Sequence, residues 1–193
     1  MQNIEPLEIG KYYHIYNRGI NGEKLFKEPL NYEHFLNLYD YHIAPIAETF
    51  AWCLMNNHFH FLVRIKEIEE ITSEKKIPAS KSFSNLFNAY TKAINKRYNR
   101  HGSLFERPFR RKTIDNNSYF QNVIVYIHNN PVHHTICNHP IEYPWSSYIT
   151  CLSDKSTKLK RKEVIELFDD IENFKYVHQH RSEGFSLQTF LGE

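Results

Sequence analysis

The sequence contains no apolar run close to the roughly 20 residues that a membrane-spanning helix needs, and no secretory or transit segment at its start. Cysteine is scarce: three residues in 193, with no CxxC pair, give no disulfide framework. A Walker-type phosphate-binding loop is also missing, so nothing indicates chemistry driven by nucleotide hydrolysis. We therefore expect a protein that stays in the cytosol, does not enter a membrane and keeps its thiols reduced.

The composition is that of a folded protein. Hydrophobic residues make up 41% of the chain and aromatic residues 15%, which is too rich for a disordered segment. A length of 193 residues suits one domain with a small appendage. We predict one domain over residues 1–150 and an extension over residues 151–193 that is partly helical, at Lys162 to Phe174, and has no assigned role.

Positive charge is concentrated in one stretch. Between Lys75 and Lys112 there are eleven basic residues and a single acid, Glu106. Aromatic residues are interleaved with them, as on surfaces that follow a phosphate backbone, although a solvated helix face has a similar composition. Tyr90 and Phe105 are expected in the core rather than stacked on bases. Seven of the basic residues are predicted to contact nucleic-acid phosphates: Lys92, Lys96, Arg97, Arg100, Arg107, Arg110 and Arg111.

Hydrophobic periodicity predicts seven main elements in the order βαββαβα. The Asn-Asn pair at 56–57 suits a tight hairpin. Ser82 is expected to cap the second helix, Asn116 or Asn117 to cap the third, and Pro131 to follow its end. This order predicts an α+β sandwich, an antiparallel sheet with helices packed on one face. The predicted strands are Tyr12 to Asn17, Thr49 to Met55, His58 to Ile65 and Phe109 to Ile114, and the predicted helices are Asn31 to Ala44, Ser82 to Arg100 and Asn117 to Asn129.

Two histidines on the third strand form a candidate metal site. Because side chains alternate along a strand, His58 and His60 project from one face about 7 Å apart, and Phe59 and Phe61 from the other. Two imidazoles can share a cation, and they leave Mn, Zn, Ni and Co open, or Mg where oxygen ligands complete the shell. The alternative is a pair of ordinary histidines on a half-exposed strand.

The third helix carries a candidate nucleophile. Tyr126 and Asn130 stand four residues apart, so a phenol and an amide oxygen lie one turn apart on the same face. Asn130 is the candidate third metal ligand and Tyr126 the candidate catalytic residue. The alternative is a core stripe, since the chain has 13 tyrosines and Tyr119, Val123 and Tyr126 share helical spacing.

Together these motifs resemble the HUH single-tyrosine transposases, most closely the branch called REP-associated tyrosine transposases. Asn56 departs from the pattern, because the family usually has proline there, and no family motif follows Ile149. The resemblance covers about Tyr12 to Tyr148 in a consistent order, which is far more specific than any single motif. The matching motifs are Asn17-Arg18-Gly19, Met55 to His60, Gly102-Ser103-Leu104-Phe105, Tyr126 to Val132 and Pro144-Trp145-Ser146-Ser147-Tyr148.

The resemblance implies a ferredoxin-like fold for the catalytic domain at residues 1–150. It also implies a divalent metal, Mg or Mn, which His58, His60 and Asn130 are expected to hold. The implied substrate is single-stranded or hairpin DNA, cleaved by Tyr126 to leave a covalent 5′-phosphotyrosine. Both a monomer and a homodimer are compatible with this reading.

Two other functions fit parts of the sequence. A DNA-binding protein of the same fold that recognises repeat hairpins, is no longer mobile and serves the host would keep the basic stretch. A structural zinc protein would use His134, Cys137 and His139, whose spacing matches no strong zinc pattern.

Overall fold

The computed structural model describes residues 5–72 and 77–180. None of the helices in these ranges combines the length and apolar character needed to cross a bilayer. Besides three short 3-10 turns, the described chain forms four strands and six α-helices. The strands are β1 (Tyr12–Arg18), β2 (Ala47–Leu54), β3 (His58–Ile65) and β4 (Arg110–Ile114), and the helices are α1 (Pro29–His42), α2 (Ala79–Arg97), α3 (Asn117–His133), α4 (Tyr148–Leu152), α5 (Arg161–Glu166) and α6 (Ile171–His180).

The strands and helices up to α3 follow the predicted order βαββαβα. All neighbouring strands pair antiparallel in the spatial order β2-β3-β1-β4, with Tyr16 of β1 opposite His60 of β3. The hairpin predicted at 56–57 joins β2 to β3, and the N–H of Met55 closes it by donating to the carbonyl of His58 at 2.8 Å. The α+β fold with an antiparallel, ferredoxin-like sheet is therefore confirmed.

The helices are divided between the two faces of the sheet. Along β3, Phe59 and Phe61 pack with α1 and α2, whereas Leu62 packs with α3. The predicted α+β sandwich holds, but the detail that its helices share one face is wrong. Both faces of the central strands are buried, so each face needs a cover of its own. As a result, His58 and His60 lie on the face that α3 covers.

Helix α2 begins almost one turn before its predicted start. Pro78 occupies the N-cap, and the predicted cap, Ser82, is buried inside the helix. The N–H of Ser82 donates to the carbonyl of Pro78 at 3.3 Å, so the first turn closes without a side-chain cap. Ser82 is wrong as a cap because the polar residues before the apolar stripe are also helical, which periodicity does not reveal.

Helix α3 is capped as predicted but ends later than predicted. The side chain of Asn116 accepts the N–H of Tyr119 at 2.8 Å. The helix continues through Pro131 to its last turn, where the N–H of His134 donates to the carbonyl of Asn130 at 3.1 Å. The predicted end before Pro131 is therefore wrong, because so close to a helix end the proline removes only one intrahelical bond. Asn130 is held in regular helical geometry.

The C-terminal region forms α4, α5 and α6, so the single helix predicted from Lys162 to Phe174 is wrong. Asp169 separates α5 from α6 with a φ of 69°, in the left-handed region. Asp170 then accepts the N–H of Asn173 at 2.8 Å in the first turn of α6. Phe174 is buried in the same core cluster as the apolar residues of α3, so α6 packs against α3.

Candidate functional site

The two histidines of β3 lie together on the face covered by α3. Their ring centroids are 5.2 Å apart, and the rings are nearly perpendicular at 82°. His60 is 2% exposed, whereas His58 is half-buried and lines an open cleft. The alternation of side chains along β3 therefore brings both rings to one place, as predicted.

Asn130 lies against both imidazoles. Its side-chain oxygen is 2.9 Å from Nε2 of His58, and its amide nitrogen is 3.4 Å from Nε2 of His60. Asn130 is itself 1% exposed. The three residues predicted as metal ligands are therefore in direct contact, although they come from a strand and a helix far apart in the sequence.

Tyr126 lies one helical turn before Asn130 and faces the same site. Its ring centroid is 5.3 Å from that of His60, with an angle of 80° between the rings. The tyrosine is half-buried, and its ring centroid is 6.0 Å from that of His133. The candidate nucleophile therefore meets the candidate metal ligands at one place, rather than lying buried in the core.

Burial keeps the histidine rings of the site neutral. It lowers the pKa of His58 to about 4, and the hydrogen bond with Asn130 opposes part of that shift. Burial also lowers the pKa of His60 well below its usual value, with help from the rings of His14 and His58. A neutral imidazole offers a ring-nitrogen lone pair, which is the form that binds metals.

His14 belongs to the site, and the sequence reading missed it. Its Nε2 is 3.0 Å from Nδ1 of His60, and the ring is fully buried on the adjacent strand β1. Burial lowers the pKa of His14 to about 3, and the nearby charge of Lys112 adds to the effect. In the sequence His14 shares its strand face with Tyr12 and Tyr16, but only the pairing of β1 with β3 shows which side chain it contacts.

An open cleft of about 400 Å³ leads to the histidine pair. Arg18 and Arg110 line it, and both form ion pairs with Glu106, at 2.6 Å and 3.7 Å. Two arginines beside one acid leave a local excess of positive charge, which attracts anions such as phosphate. A larger cleft of about 620 Å³ lies between α1, β2 and the loop before α5, and it contains none of the predicted site residues.

The predicted phosphate contacts on and before β4 point in different directions. Arg110 faces the cleft of the histidine pair. Arg111 faces the other side of the sheet, where its guanidinium lies 3.9 Å over the ring of Phe109. Arg107 is exposed and lines a separate cleft together with Arg111. Of the seven residues, only Arg110 lines the cleft at His58.

The other four predicted contacts lie on or just after α2, on the face opposite the site. Lys92 and Lys96 are exposed to solvent. Arg97 and Arg100 instead form ion pairs with glutamates of the connection between β1 and α1. Tyr90 and Phe105, at 0% and 4% exposed, belong to the core as predicted.

The alternative zinc site is not formed. Within residues 5–72 and 77–180, no three His, Cys, Asp or Glu side chains cluster as a metal site. His134 lies instead beside His58, with ring centroids 5.0 Å apart, and His139 accepts the N–H of Ile141 at 3.1 Å. The amide of Asn130, which contacts both imidazoles of β3, therefore remains the candidate third ligand.

The fold and the site define a ferredoxin-like α+β protein whose central strand carries a histidine pair beside a tyrosine on a helix. A family model described as "Transposase IS200 like" matches residues 10–130. The chain belongs to this family of IS200-like transposases, and membership supports enzymatic cleavage of DNA. No curated protein matches the chain.

One similar solved structure is described as "Structure of the REP associates tyrosine transposase bound to a REP hairpin". The two chains are 15% identical, with a TM-score of 0.63 over 80% of this chain and 86% of the other. At this identity the similarity shows a shared fold. The REP hairpin is the ligand of that protein.

Proposed function

We propose that this transposase cleaves and rejoins single-stranded DNA with Tyr126 as its nucleophile. The observation that carries the proposal is the position of Tyr126, whose ring centroid is 5.3 Å from that of His60. A phenol with an ordinary pKa near 10 is ionised to only about one part in a thousand at neutral pH. Tyr126 therefore needs neighbours that hold the phosphate in line and stabilise its developing charge.

In the proposed reaction the oxygen of Tyr126 forms a bond to phosphorus, and the bond from phosphorus to the 3′ oxygen breaks. The phenol gives up its proton, and the leaving strand takes up a proton to end in a 3′ hydroxyl. The 5′ phosphate stays on the tyrosine. Rejoining is the reverse reaction with a different 3′ hydroxyl, so the energy of the phosphodiester bond is conserved and no nucleotide is hydrolysed.

The donor atoms of the site fit a divalent cation. Nδ1 of His58 faces the side-chain oxygen of Asn57 at 2.8 Å, and its Nε2 faces that of Asn130 at 2.9 Å. A neutral imidazole has one N–H, so one of these contacts sets a lone pair against an oxygen. A cation bound between Nε2 of His58 and the side-chain oxygen of Asn130 removes that conflict. We therefore propose His58, His60 and Asn130 as ligands of Mn²⁺, or of Mg²⁺ where phosphate oxygens complete the shell.

Each neighbouring residue has a defined role in this proposal. When bound, the cation supplies Lewis-acid stabilisation to the scissile phosphate. His14 holds Nδ1 of His60, so that the other ring nitrogen stays directed at the site. Arg18 and Arg110 bind the phosphates that flank the one being cleaved. The regular helix around Asn130 keeps Tyr126 one turn away, on the same face.

We propose an unpaired DNA segment beside a hairpin as the substrate. A cleft of about 400 Å³ has room for a nucleotide of a single strand rather than for a duplex. The protein of similar fold was solved with a hairpin of the REP type, which makes hairpin DNA the class to test first. A host-adapted binding protein that has lost its chemistry would bind such DNA without cleaving it.

The test uses a pool of hairpin oligonucleotides with randomised single-stranded flanks, labelled at the 3′ end. With Mn²⁺ or Mg²⁺ present, we expect labelled DNA to become covalently attached to the protein and to survive denaturing electrophoresis. Tyr126→Phe should abolish this product, whereas Tyr119→Phe, on the same helix two turns earlier, should retain it. Undiminished attachment to Tyr126→Phe would falsify the proposed nucleophile.

A further inference from the structure

A chain of buried hydrogen bonds joins α6 to α3, the helix that carries Tyr126. Nε2 of His178 is 2.9 Å from Nδ1 of His128, and Nε2 of His128 is 2.7 Å from the hydroxyl of Ser147. None of these three residues is more than 1% exposed. Their hydrogen bonds run to one another, to Phe174 and to Trp52 rather than to His58 or His60, so they take no direct part in the proposed chemistry.

The hydrogen positions in this chain follow from its two ends. Nδ1 of His178 is 2.7 Å from the carbonyl oxygen of Phe174, which can only accept, so this nitrogen carries the proton. Burial lowers the pKa of His178 to about 4, so the ring is neutral and its Nε2 accepts from Nδ1 of His128. Nε2 of His128 then accepts from the hydroxyl of Ser147, whose oxygen accepts the N–H of Trp52 at 2.8 Å. One proton assignment satisfies every ring nitrogen and the hydroxyl.

This network holds α3 from the side away from the cleft. Tyr126 and Asn130 face the histidine pair, while His128, between them in the sequence, points toward α6. Asn129 adds a second link, because its amide nitrogen donates to the carbonyl of His178 at 2.8 Å. Two neighbouring residues of α3 are thus bonded to one residue of α6, which fixes the rotation of α3 about its axis.

We propose that His178 and Ser147 are positioning residues: through His128 they set the orientation of α3 that brings Tyr126 and Asn130 to the histidine pair. The inference rests on the proposed strand cleavage by Tyr126. Both residues lie outside the range 10–130 that the family model matches, His178 on α6 and Ser147 just before α4. A displacement of about 1 Å at a reacting group can lower a rate about 100-fold.

The kinetic test compares two histidines of α6. His178→Leu removes the acceptor for His128, and His178→Gln restores one with its amide oxygen. His180→Leu is the matched control, because Nδ1 of His180 bonds the carbonyl of Tyr176 at 2.8 Å in the same way but the residue is exposed. The substrate is a hairpin oligonucleotide that the wild-type chain cleaves from the pool. We expect kcat to fall about 100-fold in His178→Leu with KM nearly unchanged, to recover about tenfold in His178→Gln, and to stay unchanged in His180→Leu.

A second measurement does not depend on activity. Nitrogen-15 NMR of the imidazole rings should show both His128 and His178 protonated on Nδ1. A double variant of His178→Leu with Ser147→Ala should cleave no more slowly than the slower single variant, since either change breaks the same network. If His178→Leu does not fold, Ser147→Ala alone replaces it in the kinetic comparison.

Several outcomes overturn the proposal. One is an equal kcat for His178→Leu and His180→Leu after correction for the folded fraction in urea unfolding. Others are protonation of Nε2 in either buried ring, or additive losses in the double variant. An equal fall in kcat in His178→Leu and His178→Gln would indicate that His178 contributes to stability alone. Cleavage by Tyr126→Phe would instead refute the proposed function, so the two failures can be told apart.

Discussion

The contact between His14 and His60 holds the more deeply buried of the two imidazoles that we propose as metal ligands. Nε2 of His14 lies 3.0 Å from Nδ1 of His60, and both side chains are closed off from solvent. If Nε2 of His60 binds a cation, its Nδ1 carries the proton and donates to His14. Such partners fix the tautomer and the orientation of a ligand ring, and removing one typically weakens metal binding 10–100-fold.

We therefore expect His14→Phe to weaken binding of Mn²⁺ by about 10–100-fold, because the ring of His60 loses its hydrogen-bond partner while the volume stays filled. Titration calorimetry with MnCl₂ in the absence of DNA measures this directly. His101→Phe, at an exposed position outside the site, serves as the control and should bind Mn²⁺ as the wild-type chain does. An affinity for Mn²⁺ that is unchanged in His14→Phe would show that His14 has no role in metal binding.

Spacing in the sequence predicted most residues of this site, but not all of them. His58 and His60 share a strand face and Tyr126 and Asn130 share a helix face, so local periodicity alone pairs them two by two. The contact between the pairs came from family resemblance. His14 stayed hidden because its role depends on the register that sets Tyr16 opposite His60, and that register is a property of the folded sheet.

Helix α3 positions both Tyr126 and Asn130, and one side chain caps its first turn. The side-chain oxygen of Asn116 accepts the N–H of Tyr119 at 2.8 Å, which satisfies a backbone donor that the helix cannot satisfy itself. The helix also carries Phe120, which is buried in the core on that face of the sheet. Fraying at the first turn would therefore disturb both the cap and the core contact.

We expect Asn116→Ala to lower the free energy of unfolding by about 1 kcal/mol, the usual loss for an N-cap side chain. Urea unfolding followed by far-UV circular dichroism measures the change. Asn117→Ala, at the exposed next position, is the matched control and should change stability by less than about 0.5 kcal/mol. Equal losses at the two positions would show that the cap bond contributes nothing specific.

The predicted ends of α3 and of the C-terminal helix were wrong, each for its own physical reason. Pro131 is read as a stop, yet it sits so near the end of α3 that only one intrahelical bond is lost. The division between α5 and α6 depends on Asp169, a residue that takes a left-handed conformation only where its surroundings require it. The strands were easier, because burial on both faces gives β3 a continuous apolar and aromatic pattern.

On the scale of the whole molecule, the sheet separates two groups of positive charge. Arg18 and Arg110 lie in the cleft at the histidine pair, on the face that α3 covers. Lys92 and Lys96 are exposed on α2, which packs on the opposite face. In the proposed reaction, a DNA strand in the cleft would meet the first group at the reacting phosphate. It meets the second group only if the bound DNA extends around the edge of the sheet.

We expect both groups to contribute to DNA affinity but only one to the reaction. For single strands, each neutralised phosphate adds about 0.7 to the slope of log affinity against log salt. Arg110→Ala should lower that slope by about 0.7 and also slow cleavage at saturating DNA, because the lost charge is next to the scissile phosphate. A double change, Lys92→Ala with Lys96→Ala, should lower the slope by about 1.4 and leave cleavage at saturating DNA unchanged.

Fluorescence anisotropy with the labelled hairpin over a range of NaCl concentrations measures the slopes, and single-turnover cleavage at saturating DNA measures the reaction. Lys162→Ala is a matched control, since this lysine is highly exposed on α5 and its ion pair with Glu166 stretches to 3.9 Å. Slopes that do not change in the double lysine variant would confine the DNA to the cleft side of the sheet. If Arg110→Ala cleaved as fast as the wild-type chain, the cleft would not be where the scissile phosphate binds.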